Sequence, residues 1–241
     1  MYDISQIETC YEFVSCVTFC DGHKSTFCKK EHVKAVGSDG LYIFTMLGSS
    51  EETVDGMAPV DWSDIILQFA KALYPITLRV SGQGDFMAVE NFEELRRRWK
   101  EKCQKIIDYY NSSLIEEESQ RFALVMETED KFFHTLKENV FYRLFFWTVD
   151  QPVQQVVIRD FPSYARLAIF SFQEKKYDEN GGLCYETYEV KDEGSGRLLS
   201  GHAKLRLSRD FDGLPKEIHL KARVEEAETG YFTKEITIKR L

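Results

Sequence analysis

Four residues near the N-terminus have the side chains and the spacing of a possible metal site. They follow the pattern C-x3-C-x7-C-x3-H and are Cys16, Cys20, Cys28 and His32. Two sulfurs on one zinc ion must lie within ~4.6 Å of each other, whereas Cys16 and Cys20 would be ~13 Å apart on an extended strand. We therefore expect no metal ion, and these four residues remain only a weak zinc candidate. Their thiols are expected to be buried as small hydrophobic groups.

No motif in the chain indicates an enzyme. A catalytic cysteine needs a histidine beside a thiol of lowered pKa, but Cys103 falls on the apolar stripe of a predicted helix and the five histidines are scattered singly. The P-loop, H-E-x-x-H and G-x-S-x-G motifs are absent. Gly82-Gln83-Gly84 joins two predicted strands, so it lacks the helix that phosphate binding requires. The sequence therefore predicts no catalytic residue and no cofactor.

The middle of the chain contains the one local concentration of positive charge. Arg96, Arg97 and Arg98 are adjacent, and three lysines occur within the next seven residues. Neighbouring residues of an α-helix point ~100° apart, so three adjacent arginines cannot form one flat patch. A solvated helix face is the simpler interpretation. The sharper one is a protein partner with an acidic surface, for which the three arginines would be the partner surface.

An aromatic run from Phe141 to Trp147 indicates either core packing or the wall of a hydrophobic pocket. A curved sheet that packs on helices can leave a cavity between the two layers. Such a cavity would bind an apolar small molecule. The residues predicted to line it are Trp99, Phe141, Phe145 and Trp147.

The elements that position these residues can be predicted from hydrophobic spacing. Residues 11–20 are rich in β-branched and aromatic side chains and run into Asp21-Gly22, which is a strong hairpin signal. Further short elements are predicted as a helix at 62–72 and strands at 41–47, 76–80 and 86–89.

The middle third of the chain is predicted to be helical. Asn91 is a favoured N-cap, and Glu94 stands where it would complete a capping box. From Phe92 to Tyr110 apolar residues recur every three or four positions, which is typical of an amphipathic helix. Two more helices are predicted at 114–127 and 129–146.

After Pro152 the hydrophobic period changes from that of a helix to that of a strand. In Ile218, Leu220 and the residues that follow, apolar and polar side chains alternate, which is typical of an antiparallel sheet covered on one face. The sequence therefore predicts a β-meander. Its six strands are predicted at 153–158, 166–172, 183–190, 202–207, 217–224 and 231–238.

The predicted fold class is α+β. A curved antiparallel β-sheet, made of the C-terminal six-strand meander plus the N-terminal strands, is expected to pack on a central group of about three helices. Residues 1–241 are expected to form a single domain, because no long linker interrupts them. The alternative is a sub-division into a strand-rich part (1–90), a helical part (91–150) and the β-meander (151–241).

Composition and charge exclude several classes of protein. The chain is 43% hydrophobic and 14% aromatic, which is enough for a packed core. Its net charge of -9 is spread without a basic stripe, so nucleic acid is not an expected partner. No secretory signal is visible, and no run reaches the ~18 apolar residues of a membrane helix. We therefore expect a soluble, acidic, cytoplasmic protein with reduced cysteines and no membrane insertion.

Three functions are compatible with these observations. The leading hypothesis is a non-enzymatic binding or assembly protein, because no catalytic constellation is visible. The second is a carrier of an apolar small molecule, held in a cavity between the sheet and the helices. The third is an enzyme with a dispersed active site, which would need a cleft where a cysteine or histidine meets a carboxylate.

Overall fold

The structure of the protein is a computed structural model, and it describes residues 4–38, 40–49, 51–147, 154–163, 166–177, 182–226 and 230–241. Within these ranges the chain forms twelve strands and five helices. The strands are β1 (Gln6–Thr18), β2 (Lys24–Ser38), β3 (Leu41–Gly48), β4 (Glu52–Val54), β5 (Ile76–Ser81), β6 (Phe86–Val89), β7 (Gln154–Arg159), β8 (Leu167–Tyr177), β9 (Leu183–Asp192), β10 (Ser200–Arg209), β11 (Pro215–Glu226) and β12 (Gly230–Arg240). The helices are α1 (Asp61–Lys71), α2 (Phe92–Tyr110), α3 (Ser113–Val125), α4 (Glu129–Glu138) and α5 (Val140–Phe145).

All twelve strands belong to one antiparallel sheet. Its order is β6-β5-β3-β2-β1-β12-β11-β10-β9-β8-β7, and β4 pairs with β2 off this path. The last six strands are consecutive neighbours, which confirms the predicted meander. The first and last strands also pair, from Tyr11 opposite Arg240 to Thr18 opposite Thr233. This long-range pairing joins the N-terminal and C-terminal strands into a single sheet.

The sheet curves around α5, whose aromatic side chains fill its concave face. Phe145 contacts Tyr11 of β1 edge-on at 4.9 Å between ring centroids. The next residue, Phe146, contacts Phe86 of β6 at 4.7 Å. Just beyond the helix, Trp147 contacts Phe172 of β8 at 5.7 Å. Strands from both halves of the sheet therefore meet the same short helix, which confirms the predicted curvature.

A helix contacts each of the two edges of the sheet. At β6, the backbone N–H of Val89 donates to Oε1 of Glu129 at the start of α4, at 3.2 Å. At β7, the backbone carbonyl of Gln155 accepts from Nε of Arg143 in α5, at 2.8 Å. Open strand edges can pair with other chains. Here a side chain of α4 bonds a backbone N–H of β6, and a side chain of α5 bonds a backbone carbonyl of β7.

The number of helices differs from the prediction of about three. The segment predicted as one helix at 129–146 is two helices, α4 and α5. Asn139 leaves the helical conformation with ψ 125°, and its side chain accepts a hydrogen bond from the N–H of Phe141 at 3.0 Å. This local cap starts a new helix in a new direction. None of the helices in the described residues is long and apolar enough to cross a membrane.

The capping box predicted at the start of α2 is wrong. Asn91 does precede the helix, but its side chain makes no capping hydrogen bond. Its Oδ1 accepts from the N–H of Thr77, and its Nδ2 donates to the carbonyl of Pro75, both at 2.9 Å. The side chain therefore ties the start of α2 to β5, because two tertiary hydrogen bonds replace one local bond.

Candidate functional site

A candidate ligand site is a groove between α2 and α3. These helices form a hairpin in which Asn111 adopts the left-handed conformation that ends α2, and Ser112 precedes α3. The helices approach closely where Sγ of Cys103 lies 2.9 Å from Oγ of Ser119. Both side chains are small, which lets the two backbones come together at this point. The groove lies along this contact, and α2 residues from Arg96 to Ile107 line it.

The groove has a volume of about 320 Å³ and an apolar floor. Trp99 and Met126 are buried at 5% and 3% exposure, whereas Ala123 is exposed at the groove wall. Small-molecule sites in proteins typically occupy ~300–1,000 Å³. The groove is therefore at the lower end of the size range for a ligand site.

Two polar features lie in this floor. The indole N–H of Trp99 is buried and has no hydrogen-bond partner among the described residues. Burial raises the pKa of the Cys103 thiol, and the hydrogen bond with Ser119 offsets this only in part. Cys103 is therefore a neutral thiol that can share a hydrogen bond and is poorly suited to act as a nucleophile.

The rim of the groove carries positive charge from α2. Arg96 and Lys100 line it, and Lys100 has no ion pair among the residues that the structure describes. Arg96 lies 4.0 Å from Glu93, at the outer limit of an ion pair. Glu127 also lines the groove, but it pairs with Lys131, whose hydrogen bond and charge lower the pKa of that carboxyl. The rim therefore offers two cations and one carboxylate that already has a partner.

The predicted partner surface is divided by the fold. Nη2 of Arg98 donates to the carbonyl of Pro75 at 2.9 Å, and Nη1 pairs with Glu94 at 3.0 Å. Arg96 lines the groove, and Arg97 is exposed without lining it. The structure therefore brings only one of the three arginines to the groove, while another is used to hold α2 against the rest of the protein.

The four residues of the predicted ligand pocket lie in two different places. Trp99 lines the groove. Phe141, Phe145 and Trp147 are buried inside the curved sheet at 3%, 0% and 2% exposure. Phe141 packs edge-on against Phe13 of β1 at 5.6 Å. The structure therefore does not bring Trp99 together with the other three, whose ring contacts are those of a packed core.

The candidate zinc residues are spread along the β1–β2 hairpin. Cys16 is opposite Thr26, and Cys28 is opposite Val14. Cys20 is exposed in the three-residue turn that Gly22 closes with φ +84°. Within the described residues, no group of three or more His, Cys, Asp or Glu side chains could hold a metal ion.

The fourth candidate, His32, lies opposite Cys10 on the outer face of the sheet. Its Nε2 is 3.8 Å from Sγ of Cys10, and a histidine beside a thiol is the pair that a catalytic cysteine requires. Burial raises the pKa of the Cys10 thiol, and the charge of Lys30 offsets this only in part. A nucleophilic cysteine needs a lowered pKa. This pair therefore does not favour thiol catalysis.

A buried ionic cluster was missed by the sequence analysis. Nζ of Lys29 donates to Oε2 of Glu31 at 2.5 Å, and Glu31 is fully buried. The hydroxyl of Tyr74 donates to the same oxygen at 3.4 Å and accepts from Tyr142, also at 3.4 Å. Glu31 also accepts from the N–H of Gly48 at 3.0 Å. The cluster thus links β2, β3, α5 and the segment before β5.

The pKa values within this cluster favour its present charge state. Burial lowers the pKa of Lys29, but its electrostatic interactions and hydrogen bonds with Tyr74 and Glu31 outweigh burial and raise it above the ordinary value. Burial raises the pKa of Tyr74 and raises that of Tyr142 further. Lys29 is therefore charged and both tyrosines are neutral at pH 7. Such a cluster holds the fold together and supplies no acid or base near neutral pH.

The alternation of side chains along β2 could have predicted this cluster from the sequence. Phe27, Val33 and Ala35 are apolar and occupy every second position of β2. Side chains two apart lie on the same face of a strand. Lys29 and Glu31 share that spacing, so they had to face inward and needed partners there.

Comparisons with known proteins do not assign a family. No family model matches the chain, and no curated protein matches it. Among solved structures, the dehydratase domain from the CurJ module of curacin polyketide synthase is 10% identical. The aligned region covers 96% of this chain and 75% of the dehydratase domain, with a TM-score of 0.12. A TM-score this low supports no statement about fold or function.

Proposed function

We propose that this protein is a non-enzymatic binding protein and that its ligand site is the groove between α2 and α3. The observation that carries the proposal is an apolar groove of about 320 Å³ with a nearly buried tryptophan in its floor and cations at its rim. Apolar concave sites with a few polar groups are the usual form of small-molecule sites. The carrier hypothesis is kept, and its site moves from the interior of the sheet to the groove.

Two alternatives have less support. An acidic protein partner would have been recognised by three arginines together, but Arg98 is bonded within the protein. An enzyme would need a reactive group in a cleft, but the pKa of Cys103 in the groove is raised and so is that of Cys10. Binding of a small molecule uses the groove as it stands and requires no such group.

Native mass spectrometry of the protein purified from its own source tests the proposal. The expected result is a small adduct that is lost on denaturation. The variant Ala123→Trp fills the groove with a bulky side chain at an exposed position and should abolish the adduct. Leu124→Trp is the matched control, because Leu124 is the next residue of α3, is 63% exposed and does not line the groove. A protein without adduct, or an adduct that Ala123→Trp retains, would contradict the proposal.

A further inference from the structure

We infer that the groove selects amphipathic molecules that carry one negative charge, with the anionic head beside Arg96 and Lys100 and the apolar tail over Trp99 and Met126. This inference rests on the proposed function and names its ligand class. It is argued from the distribution of charge around the groove.

Positive charge lies along one wall of the groove because of helical spacing. Arg96 and Lys100 are four residues apart on α2, so they lie one above the other on one helix face. Gln104 continues this line and also borders the groove, but its Nε2 already donates to Asp108 at 2.8 Å. The cations of this wall are therefore Lys100, which has no ion pair among the described residues, and Arg96, whose pair with Glu93 is long at 4.0 Å.

Among the described residues that line the opposite wall, none is a cation that could bind a ligand anion in place of Arg96 and Lys100. This wall is formed by the end of α3 and the residues just beyond it, where Ala123 and Met126 are apolar and Glu127 is the charged side chain. Lys131 holds Glu127 through an ion pair one helical turn away. A ligand carboxylate at the α2 wall would thus meet two cations, and the neighbouring carboxylate of Glu127 is paired with Lys131.

The size of the groove limits the ligand. A volume of about 320 Å³ corresponds to roughly ten water-sized groups at ~30 Å³ each. A medium-length alkyl carboxylate fits this limit, whereas a long lipid chain would extend beyond it. Octanoate is therefore a suitable probe.

Isothermal titration calorimetry with three probes that share one tail tests the head-group preference. The probes are octanoate, octan-1-ol and octylammonium. Octanoate should bind most tightly and octylammonium least. The expected preference for octanoate over octanol is about five- to tenfold, the size that two partly exposed ion pairs provide. The preference should decrease at high salt, since exposed charges are screened.

Charge variants of α2 test which residues cause the preference for octanoate over octanol. The double variant Arg96→Gln/Lys100→Gln should bind octanoate and octanol equally. Arg97→Gln/Lys102→Gln removes the same two charges from exposed positions of the same helix that do not line the groove, and it should keep the preference. If both double variants lose the preference, the net charge of the helix is responsible and the inference is wrong.

The outcomes separate this inference from the proposed function. Equal binding of all three probes, blocked by Ala123→Trp, would overturn the charge selection and leave the groove as the ligand site. Tightest binding of octylammonium would overturn the inference in the same way. Binding of no probe, together with no native adduct, would overturn both proposals.

Discussion

Trp99 and Trp147 are alike in burial and differ in what surrounds them. Both are at least 95% buried, and neither indole N–H has a hydrogen-bond partner among the described residues. Trp147 is enclosed by the rings of Phe172 and Tyr185 inside the curved sheet, whereas Trp99 lines a groove with space for another molecule. Burial and an unpaired polar group therefore do not by themselves mark a site. The open volume beside the residue distinguishes the two regions.

The two regions should also differ in what they contribute to the protein. Around α5, a buried ring such as Phe145 contacts rings on two strands, so its loss leaves an enclosed cavity. In the groove, solvent reaches the wall, so a change costs little stability and mainly affects binding. The following predictions test this contrast.

The largest effect is expected in the closed region. Phe145 is fully buried and contacts rings of β1 and β3. Phe145→Ala should lower the free energy of unfolding by ~3–5 kcal/mol, measured by denaturant titration, because it leaves an enclosed cavity. Leu124→Ala, at an exposed position of α3, should change it by less than ~0.5 kcal/mol. A small loss for Phe145→Ala would show that the interior of the sheet is loosely packed.

The ionic cluster beside this core should be nearly as sensitive. Glu31→Gln keeps an acceptor for the N–H of Gly48 but leaves Lys29 buried without its partner charge, so stability should fall by ~3–5 kcal/mol. The double variant Lys29→Met/Glu31→Gln should recover part of this loss. Glu51→Gln breaks the exposed pair with Lys30 on the other face of β2 and should cost at most ~1 kcal/mol. Equal losses for the buried and exposed pairs would contradict the assignment.

The same cluster predicts alkaline sensitivity. The pKa values of Lys29, Tyr74 and Tyr142 are all raised by folding, so the folded state holds protons that the unfolded state releases. Their contribution is complete below about pH 10 and is lost as pH rises further, by ~1.4 kcal/mol for each unit of pKa shift. The melting temperature from pH 8 to 11 should therefore fall less steeply in Tyr142→Phe. The exposed control Tyr109→Phe should behave like the unchanged protein.

Substitution of two arginines of α2 should produce a smaller difference in the free energy of unfolding. Arg98→Ala removes hydrogen bonds to the carbonyls of Leu73 and Pro75, and the expected loss is ~1–3 kcal/mol in denaturant titration. Arg97 is exposed, so Arg97→Ala should stay within ~0.5 kcal/mol. If the two variants were equally stable, the role of Arg98 in holding α2 would be disproved.

The smallest losses of stability are expected for substitutions of the two tryptophans, Trp147 and Trp99. Neither Trp147→Phe nor Trp99→Phe removes a hydrogen bond within the described residues, so only packing changes. Trp147→Phe should cost ~1–2 kcal/mol because the space it leaves is enclosed, whereas Trp99→Phe should cost less than ~1 kcal/mol because that space joins the groove. Octanoate affinity should respond in the opposite order, with Trp99→Phe weakening calorimetric binding and Trp147→Phe leaving it unchanged. The reverse pattern would place the ligand inside the sheet.

Much of the secondary structure could be predicted from hydrophobic period alone. Strands β3, β5 and β6 and helix α2 lie within two residues of their predicted bounds. The meander was predictable because consecutive antiparallel strands need only short turns between them. The break at Asn139 and the use of Asn91 were not predictable. Asn139 caps a new helix where the hydrophobic period continues, and Asn91 bonds to Thr77 and Pro75, which local periodicity does not place beside it.

The candidate site was predictable only in part. Trp99 and Arg96 were selected from composition and charge, and both line the groove. Phe145 and Trp147 were assigned to the same pocket as Trp99, although they lie in the core around α5. Ser119, which lines the groove and contacts Cys103, carried no sequence signal.

By itself, the sequence determined the position of most elements and which face of each is apolar, because these depend on residues within one or two turns of each other. The pairing of β1 with β12 and the location of the α2–α3 groove were decided only by tertiary structure. The same holds for the separate roles of Arg96, Arg97 and Arg98. These features join residues far apart in the chain or on different sides of one helix, and packing energy between elements, which local periodicity does not contain, selects them.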